Sequence, residues 1–334
     1  MAITIKDIAK ECDVSITSVS FVLNGKDYLV SEKTKEKILE ICNKHNYKPN
    51  YIAAALKNKT TNTIGVLIPD LENGYYTRII KKLDLLFKEK GYFLIITESG
   101  YDFNQFKSSI NDMIDKHIDY LVIVPASKFG DVKKEQVIEF VKSIRIPYCI
   151  LDRSLDIDQG NVVINNDIRG GYLATKYLIE NGHKKIACIT GPKDVSSSID
   201  RLKGYKLALK EFNIPFDKSL IFESNYRFEE TISIAEDIII NKKVKSIFAF
   251  NDLMAYAVYK IANKYKLNIG EDISLVGYDD NKFSSLIAPG LTSIKQDINE
   301  LCKQVVNCLF DKNNGGGTIM IEPTLSIKGS VKTC

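Results

Sequence analysis

From Thr63 onward the chain alternates short apolar runs with longer amphipathic stretches, and the alternation starts twice. The first series contains Ile64-Gly65-Val66-Leu67-Ile68, Phe93-Leu94-Ile95-Ile96, Tyr120-Leu121-Val122-Ile123-Val124 and Tyr148-Cys149-Ile150-Leu151. Runs without polar alternation are strands covered on both faces, the environment of a parallel sheet between helix layers. The second series contains Lys185-Ile186-Ala187-Cys188-Ile189, Ser246-Ile247-Phe248-Ala249-Phe250 and Ile273-Ser274-Leu275-Val276-Gly277. The expected α/β fold is two successive lobes, each a doubly wound parallel sheet. In open parallel sheets, ligands sit beyond the C-terminal ends of the strands. Asp152, Asn251 and Asp279 each follow such a run, so they either line a cleft between the facing lobes or serve only as turn chemistry.

The N-terminal segment obeys a different period. Ile5, Ile8 and Ala9 fall at helical spacing behind Thr4, an N-cap residue, and Asp13-Val14 interrupts the pattern before Ser15 caps a second helix. Val19, Val22 and Leu23 then share one face, which turns Thr17, Ser20, Phe21 and Asn24 the other way and leaves Ile16 near the leading tip. Asn24-Gly25 ends that helix. Ser31 caps a third, running to about His45 with Ile38, Leu39 and Cys42 inward, and Pro49-Asn50 opens a short segment from Tyr51 to Lys57. The expectation is a three-helix unit followed by a detachable helix.

Charge separates the two parts. Up to Thr60, ten lysines face seven acidic residues, so +3 of the formal +4 sits at the N-terminal end, as a phosphate-facing module requires; a normally solvated helical surface accounts for it equally. The sequence has neither an apolar signal core at its N-terminus nor a run that spans a bilayer, so a cytoplasmic, membrane-free protein is expected. Its seven cysteines are scattered without a C-x-x-C pair and read as reduced thiols. His45, His117 and His183 are too dispersed for a metal site or a triad, and no phosphate-binding or nucleophile-elbow motif is present. No enzyme activity, metal or cofactor is expected.

Ordered blocks along the chain resemble the lactose/galactose repressor (LacI/GalR) family of bacterial transcription regulators. Thr4-Ile5-Lys6-Asp7-Ile8-Ala9, Val14-Ser15, Val19-Ser20 and Asn24 look like its helix-turn-helix, and Tyr47-Lys48-Pro49-Asn50 with Ala53 and Leu56 like its hinge. Pro69-Asp70 with Asn73, Asn181-Gly182-His183-Lys184-Lys185, Arg201-Leu202-Lys203-Gly204-Tyr205, Asn251-Asp252, Gly277-Tyr278-Asp279-Asp280 and Leu291-Thr292-Ser293-Ile294 follow in family order. Three positions depart from the pattern: Asp13 stands where Gly is usual, Phe21 where Arg is usual, and Asn165-Asn166 where Asp-Asn is usual. Asp tolerates the left-handed backbone of such a turn, whereas Asn165 brings no charge.

The resemblance implies an all-α helix-turn-helix headpiece (1–49), a hinge helix and linker (50–60), and a periplasmic-binding-protein-like type I core. Its lobes are expected at 61–161 with 292–320 and at 162–291 with 321–334. It implies a dimer, through the first lobe, on double-stranded palindromic operator DNA. Ser15, Ile16, Thr17, Ser18, Ser20, Phe21 and Asn24 would face the duplex, Thr4, Ser31, Thr34 and Tyr47 the backbone, and Asn50, Ala53, Leu56 and Lys57 the minor groove, with Leu56 as a kinking wedge. Phe21 either packs on a thymine methyl or against the following loop. A small-molecule effector, expected to be a carbohydrate, would meet Asn73, Tyr75, Asp152, Arg201, Tyr226, Asn251 and Asp279; Arg201 and Asp279 have the alternative of an interlobe salt bridge. A sugar-binding protein without a DNA role is the competing function, and the headpiece argues against it.

Overall fold

The computed structural model describes residues 3–332, apart from Asn24, Lys26, 48–59, 127–128, Asp131, 156–160 and 312–315. The chain divides into two units, Met1–Thr61 and Asn62–Cys334. In the first, α1 (Ile5–Cys12) starts on a capping box: Thr4 accepts from the Asp7 backbone N–H, and the Asp7 carboxylate takes the Thr4 N–H at 2.9 Å. It ends at Asp13, whose φ of 57° supplies the left-handed turn without glycine. Ser15 Oγ accepts from Ser18 N at 3.0 Å at the head of α2 (Ile16–Leu23), and Ser31 Oγ from Thr34 N at 3.2 Å at the head of α3 (Glu32–Lys44). Ile8, Ala9, Cys12, Val19, Val22, Ile38 and Cys42 form the headpiece core. Leu39, expected inward, is 41% exposed. One residue past Ile38 is about 100° around the helix, beyond the stripe that α1 and α2 cover. The expected fourth helix at 51–57 lies outside the described residues.

The second unit contains two six-stranded sheets. The first is built from β1 (Thr63–Ile68), β2 (Phe93–Glu98), β3 (Tyr120–Ile123), β4 (Tyr148–Leu151), β5 (Asn161–Asn165) and β11 (Gly317–Ile321), in the order β11-β5-β4-β3-β1-β2, all parallel. Helices α4 (Gly74–Lys88) and α11 (Ile298–Phe310) cover one face; α5 (Phe103–Asp115) and α6 (Lys134–Ser143) cover the other. The second sheet has β6 (Ile186–Thr190), β7 (Ile221–Glu223), β8 (Ser246–Ala249), β9 (Ser274–Tyr278), β10 (Thr292–Lys295) and β12 (Thr324–Ser326), in the order β12-β10-β9-β8-β6-β7. Only β12 runs antiparallel, against β10. Helices α7 (Asp167–Glu180), α8 (Ser196–Glu211), α9 (Phe228–Glu236) and α10 (Asp252–Lys264) pack on it.

The crossings between lobes fall later than the expected boundaries. β5, reaching Asn165, completes the first sheet instead of opening the second lobe. β10 belongs to the second sheet, because Thr292 and Ser293 pair with Val276 and Gly277 of β9 and Ser293 Oγ donates to buried Asp252 at 2.7 Å. The chain therefore crosses after β5, after β10 and between β11 and β12.

Candidate functional site

These crossings bring strand ends of both lobes onto one small cavity of about 30 Å³. All seven expected effector residues line it: Asn73, Tyr75 and Asp152 from the first lobe, and Arg201, Tyr226, Asn251 and Asp279 from the second. Asn73 caps α4 through Oδ1, accepting from Tyr75 N at 3.0 Å, which fixes Tyr75 and Tyr76 in the first turn. Asn251 caps α10 in the same way, accepting from Met254 N at 2.9 Å, while its amide donates to Tyr226 O at 2.9 Å. Arg201 is placed by backbone contact between α7 and α8: a Cβ on Gly171 would stand 2.1 Å from Arg201 O, and one on Gly204 2.1 Å from Ile168 O. Asp152, Tyr226 and Asp279 adopt φ of 71°, 69° and 100°. Such backbone costs on the order of 1–3 kcal/mol per residue and persists where surrounding contacts enforce it, commonly at binding sites.

Tyr75 Oη and Tyr76 Oη donate to the two carboxylate oxygens of Asp152 at 2.9 and 3.2 Å. Burial pushes both phenols well above their ordinary range, so they stay neutral donors. Asn165 completes this chain by donating to Tyr75 Oη at 2.9 Å, a neutral role at a position where the resemblance leads one to expect a carboxylate. On the other side, Arg201 Nε donates to Asp167 Oδ1 at 2.8 Å, Nη1 to Phe250 O, and the guanidinium lies 3.6 Å from the Tyr278 ring centroid. Burial opposes its charge, but Asp167 and Tyr278 outweigh burial and keep it cationic. Burial raises the Asp279 carboxyl well above the usual carboxylate range, with Arg201 opposing; Gln296 Nε2 donates to it at 2.7 Å.

The alternative of an Arg201–Asp279 interlobe bridge fails on topology: both residues belong to the second lobe, and Arg201 pairs with Asp167. One link between the lobes is Arg78 of α4, which donates to the backbone carbonyls of Asp279 at 2.9 Å and Asp280 at 3.1 Å. Among the described residues, Arg153 Nε, Asn165 Oδ1, His183 Nε2 and Gln296 Oε1 are buried without a hydrogen-bond partner. A second cavity of about 480 Å³ adjoins the first, sharing Asn73, Tyr76, Arg153 and Tyr226 and walled by Asp70, Glu72, Tyr101 and Arg227.

On the headpiece, Thr4, Ser15, Ile16, Thr17 and Ser31 are exposed and Ser18, Ser20, Phe21, Thr34 and Tyr47 half-buried. Tyr47 packs on the headpiece core; among the described residues Phe21 does not join it. Ser31 Oγ and Thr34 Oγ1 lie 2.8 Å apart at the N-terminus of α3, so two expected phosphate contacts are also helix caps. Asn24, Asn50, Ala53, Leu56 and Lys57 lie outside the described residues.

Comparison with known proteins finds two family models, bacterial regulatory proteins of the lacI family over residues 4–50 and a periplasmic binding protein-like domain over residues 175–331. The HTH-type transcriptional repressor PurR of Vibrio atlanticus is 32% identical over 99% of each chain. The chain belongs to the LacI family of bacterial regulatory proteins. This LacI-family protein is also 32% identical to the HTH-type transcriptional regulator DegA of Bacillus subtilis, over 90% of this chain and 88% of DegA. It superposes with a TM-score of 0.86 on the lac repressor dimer bound to operator and the anti-inducer ONPF, at 25% identity over 99% of this chain and 100% of that one. It is a DNA-binding transcriptional repressor and not an enzyme.

Three side chains of this LacI-family cleft escaped the sequence reading: Tyr76, Arg153 and Ser197. Each had a signal beside it. Tyr76 and Arg153 directly follow Tyr75 and Asp152, and Ser197 stands four residues before Arg201, on the same face of α8.

Proposed function

We propose that this repressor binds a palindromic operator as a homodimer, and that a small polyhydroxy molecule, a monosaccharide or a derivative of one, occupies the interlobe cleft and sets its DNA affinity. The buried constellation of Asp152, Asp279, Arg201 and Asn251 beside the Tyr226 ring carries the reading. Vicinal hydroxyls both donate and accept, so they match paired carboxylate acceptors and a guanidinium donor, and an aromatic ring suits the apolar face of a pyranose or furanose. Leaving a buried polar atom unbonded costs about 1–3 kcal/mol, and a ligand hydroxyl answers Arg153 Nε, the unpaired atom that lines the cleft. About 30 Å³ is one water molecule's share of volume, so entry requires the lobes to part at their crossings, with the 480 Å³ cavity as the mouth.

In the headpiece, α2 enters the major groove with Ser15, Ile16, Thr17, Ser18, Ser20 and Phe21 toward bases, and Thr4, Ser31, Thr34 and Tyr47 hold the backbone. The lac repressor relative is a dimer on operator, the arrangement proposed here. Leu85, Phe93 and Ile96 of the first lobe are exposed, as are Phe283 and Leu286 beside the loop that Arg78 reaches. Two copies joined through the first lobe bury Leu85, Phe93 and Ile96, and lobe movement then alters headpiece spacing, coupling effector to operator by roughly 1–3 kcal/mol. Among the described residues no helix is long and apolar enough to cross a membrane, and we place the repressor in the cytoplasm with its DNA.

A thermal-shift screen of sugars, phosphosugars and nucleobases on the full chain tests this. Sugars are expected to raise the melting temperature, since a ligand at about 100 times its Kd adds roughly 2.7 kcal/mol. Asp279→Asn is expected to abolish that response while operator binding without effector persists. A nucleobase response alone would overturn the sugar assignment, and a normal response in Asp279→Asn would overturn the cleft.

A further inference from the structure

The second lobe holds another cavity, of about 370 Å³, outside the effector cleft and between α8 and the edge strand β7. This lies within the roughly 300–1,000 Å³ typical of small-molecule sites. Its walls are mostly apolar, with Ile199 and Leu202 on α8 facing Phe216 and Ile221. Its rim is cationic. Glu223 neutralises Lys193 at 2.7 Å, but Lys206 and Lys218 have no carboxylate partner among the described residues. Lys206 Nζ lies 4.6 Å from the Phe216 ring centroid, so the uncompensated charge sits directly on an apolar wall. Exposed lysines alone hold an inorganic anion weakly, and a neutral sugar finds few partners on this lining. An apolar body carrying an anionic group uses both features at once.

The groove also touches the effector cleft from behind. On α8, Ser197 and Arg201 line the cleft, while Ser198, Ile199 and Leu202 line the groove. Gly191 lines the groove too, and a Cβ added there would stand 2.1 Å from Cζ of Tyr226, so that ring rests on the glycine backbone. A molecule in the groove therefore bears on the wall that positions both Arg201 and Tyr226. We propose that this groove is a second small-molecule site, which takes an organic anion with an apolar body and acts on the cleft through α8 and Gly191. The binding half stands without the effector reading; the coupling half rests on it.

Phenyl phosphate serves as the probe, titrated calorimetrically into the full chain beside phenol and inorganic phosphate. Saturable binding with Kd below about 1 mM is expected, with phenol and phosphate each at least about tenfold weaker. The Lys206→Gln/Lys218→Gln double variant, altered only at exposed side chains, is expected to weaken phenyl phosphate by about tenfold or more. Unchanged affinity in that variant, or no saturation, overturns the site. With 3-fluorotyrosine incorporated and the Tyr226 resonance assigned by Tyr226→Phe, phenyl phosphate is expected to shift that resonance in the parent chain and not in the double variant. An unmoved Tyr226 resonance with phenyl phosphate bound overturns the coupling, whatever the effector proves to be.

Discussion

The headpiece and the core use the same polar side chains in opposite ways. In the headpiece, Glu11 meets Lys44 and His45 at the surface, Asp27 meets Lys35, and Thr4, Ser15 and Ser31, proposed to meet DNA, are exposed helix caps. In the core, Asp152, Asp167, Asp252, Asp279, Arg153 and Arg201 are all buried. The difference follows from what each region has to hold. A polyanion as large as DNA is met by solvated groups that shed water on contact, whereas a small effector needs groups already aimed and stripped of water. The consequence is that charge in the headpiece is nearly separable from its fold, and charge in the cleft is not.

Breaking the Arg201–Asp167 pair is the hardest test of that contrast. Asp167→Asn keeps the shape but leaves a buried guanidinium without its counter-charge, which is expected to cost about 3–5 kcal/mol in denaturant unfolding of the core. Glu11→Gln removes an equally short but exposed contact and is expected to leave headpiece melting unchanged. Comparable losses from the two substitutions would show that burial is not what separates the regions.

A titration sharpens it. Burial raises the Asp252 carboxyl from 3.8 to about 6, against hydrogen bonds from Ser284, Ser293 and the Asn281 backbone. A carboxyl raised on folding favours the folded state most at low pH, and that contribution is lost as pH rises from about 4 through about 6. Relative to Asp252→Asn, the parent chain should therefore lose roughly 2.4 kcal/mol of stability between pH 4 and pH 7, read from unfolding midpoints at each pH. A pH-independent difference would mean that this carboxyl ionises as an exposed one does.

The smallest effect is sought at Phe21. The sequence holds no arginine before Arg78, so the headpiece has no side chain for a bidentate Arg–guanine contact; with α2 in the major groove as proposed, A·T pairs are expected opposite Phe21, whose ring would pack on a thymine methyl. Phe21→Arg is expected to shift selected operators toward guanine at one symmetric pair of positions, by about 1–3 kcal/mol of discrimination, with headpiece stability unchanged. An unchanged preference together with a less stable headpiece would make Phe21 structural and blur the contrast drawn above.

The sequence by itself determined the elements and their class. Caps at Thr4, Ser15 and Ser31 and the spacing of Ile8, Val19 and Val22 act within a few residues, so the headpiece was legible from local pattern, as were the mostly apolar strands β1, β4, β6 and β8. The seven cleft residues were also reachable, by their positions after strands and by resemblance. Tertiary structure alone decided the rest. β10 carries Thr292 and Ser293 because their hydroxyls serve Lys328 N and Asp252, partners distant in sequence, so its polar residues hide a central strand and moved the lobe boundary. The pairing of Arg201 with Asp167 rather than Asp279, Asn165 as a donor to Tyr75, and Arg78 joining the lobes all depend on which strand ends the crossings bring together. Periodicity records which face of an element is buried; it carries no record of what a buried charge meets, because that partner is chosen by the packing of whole elements.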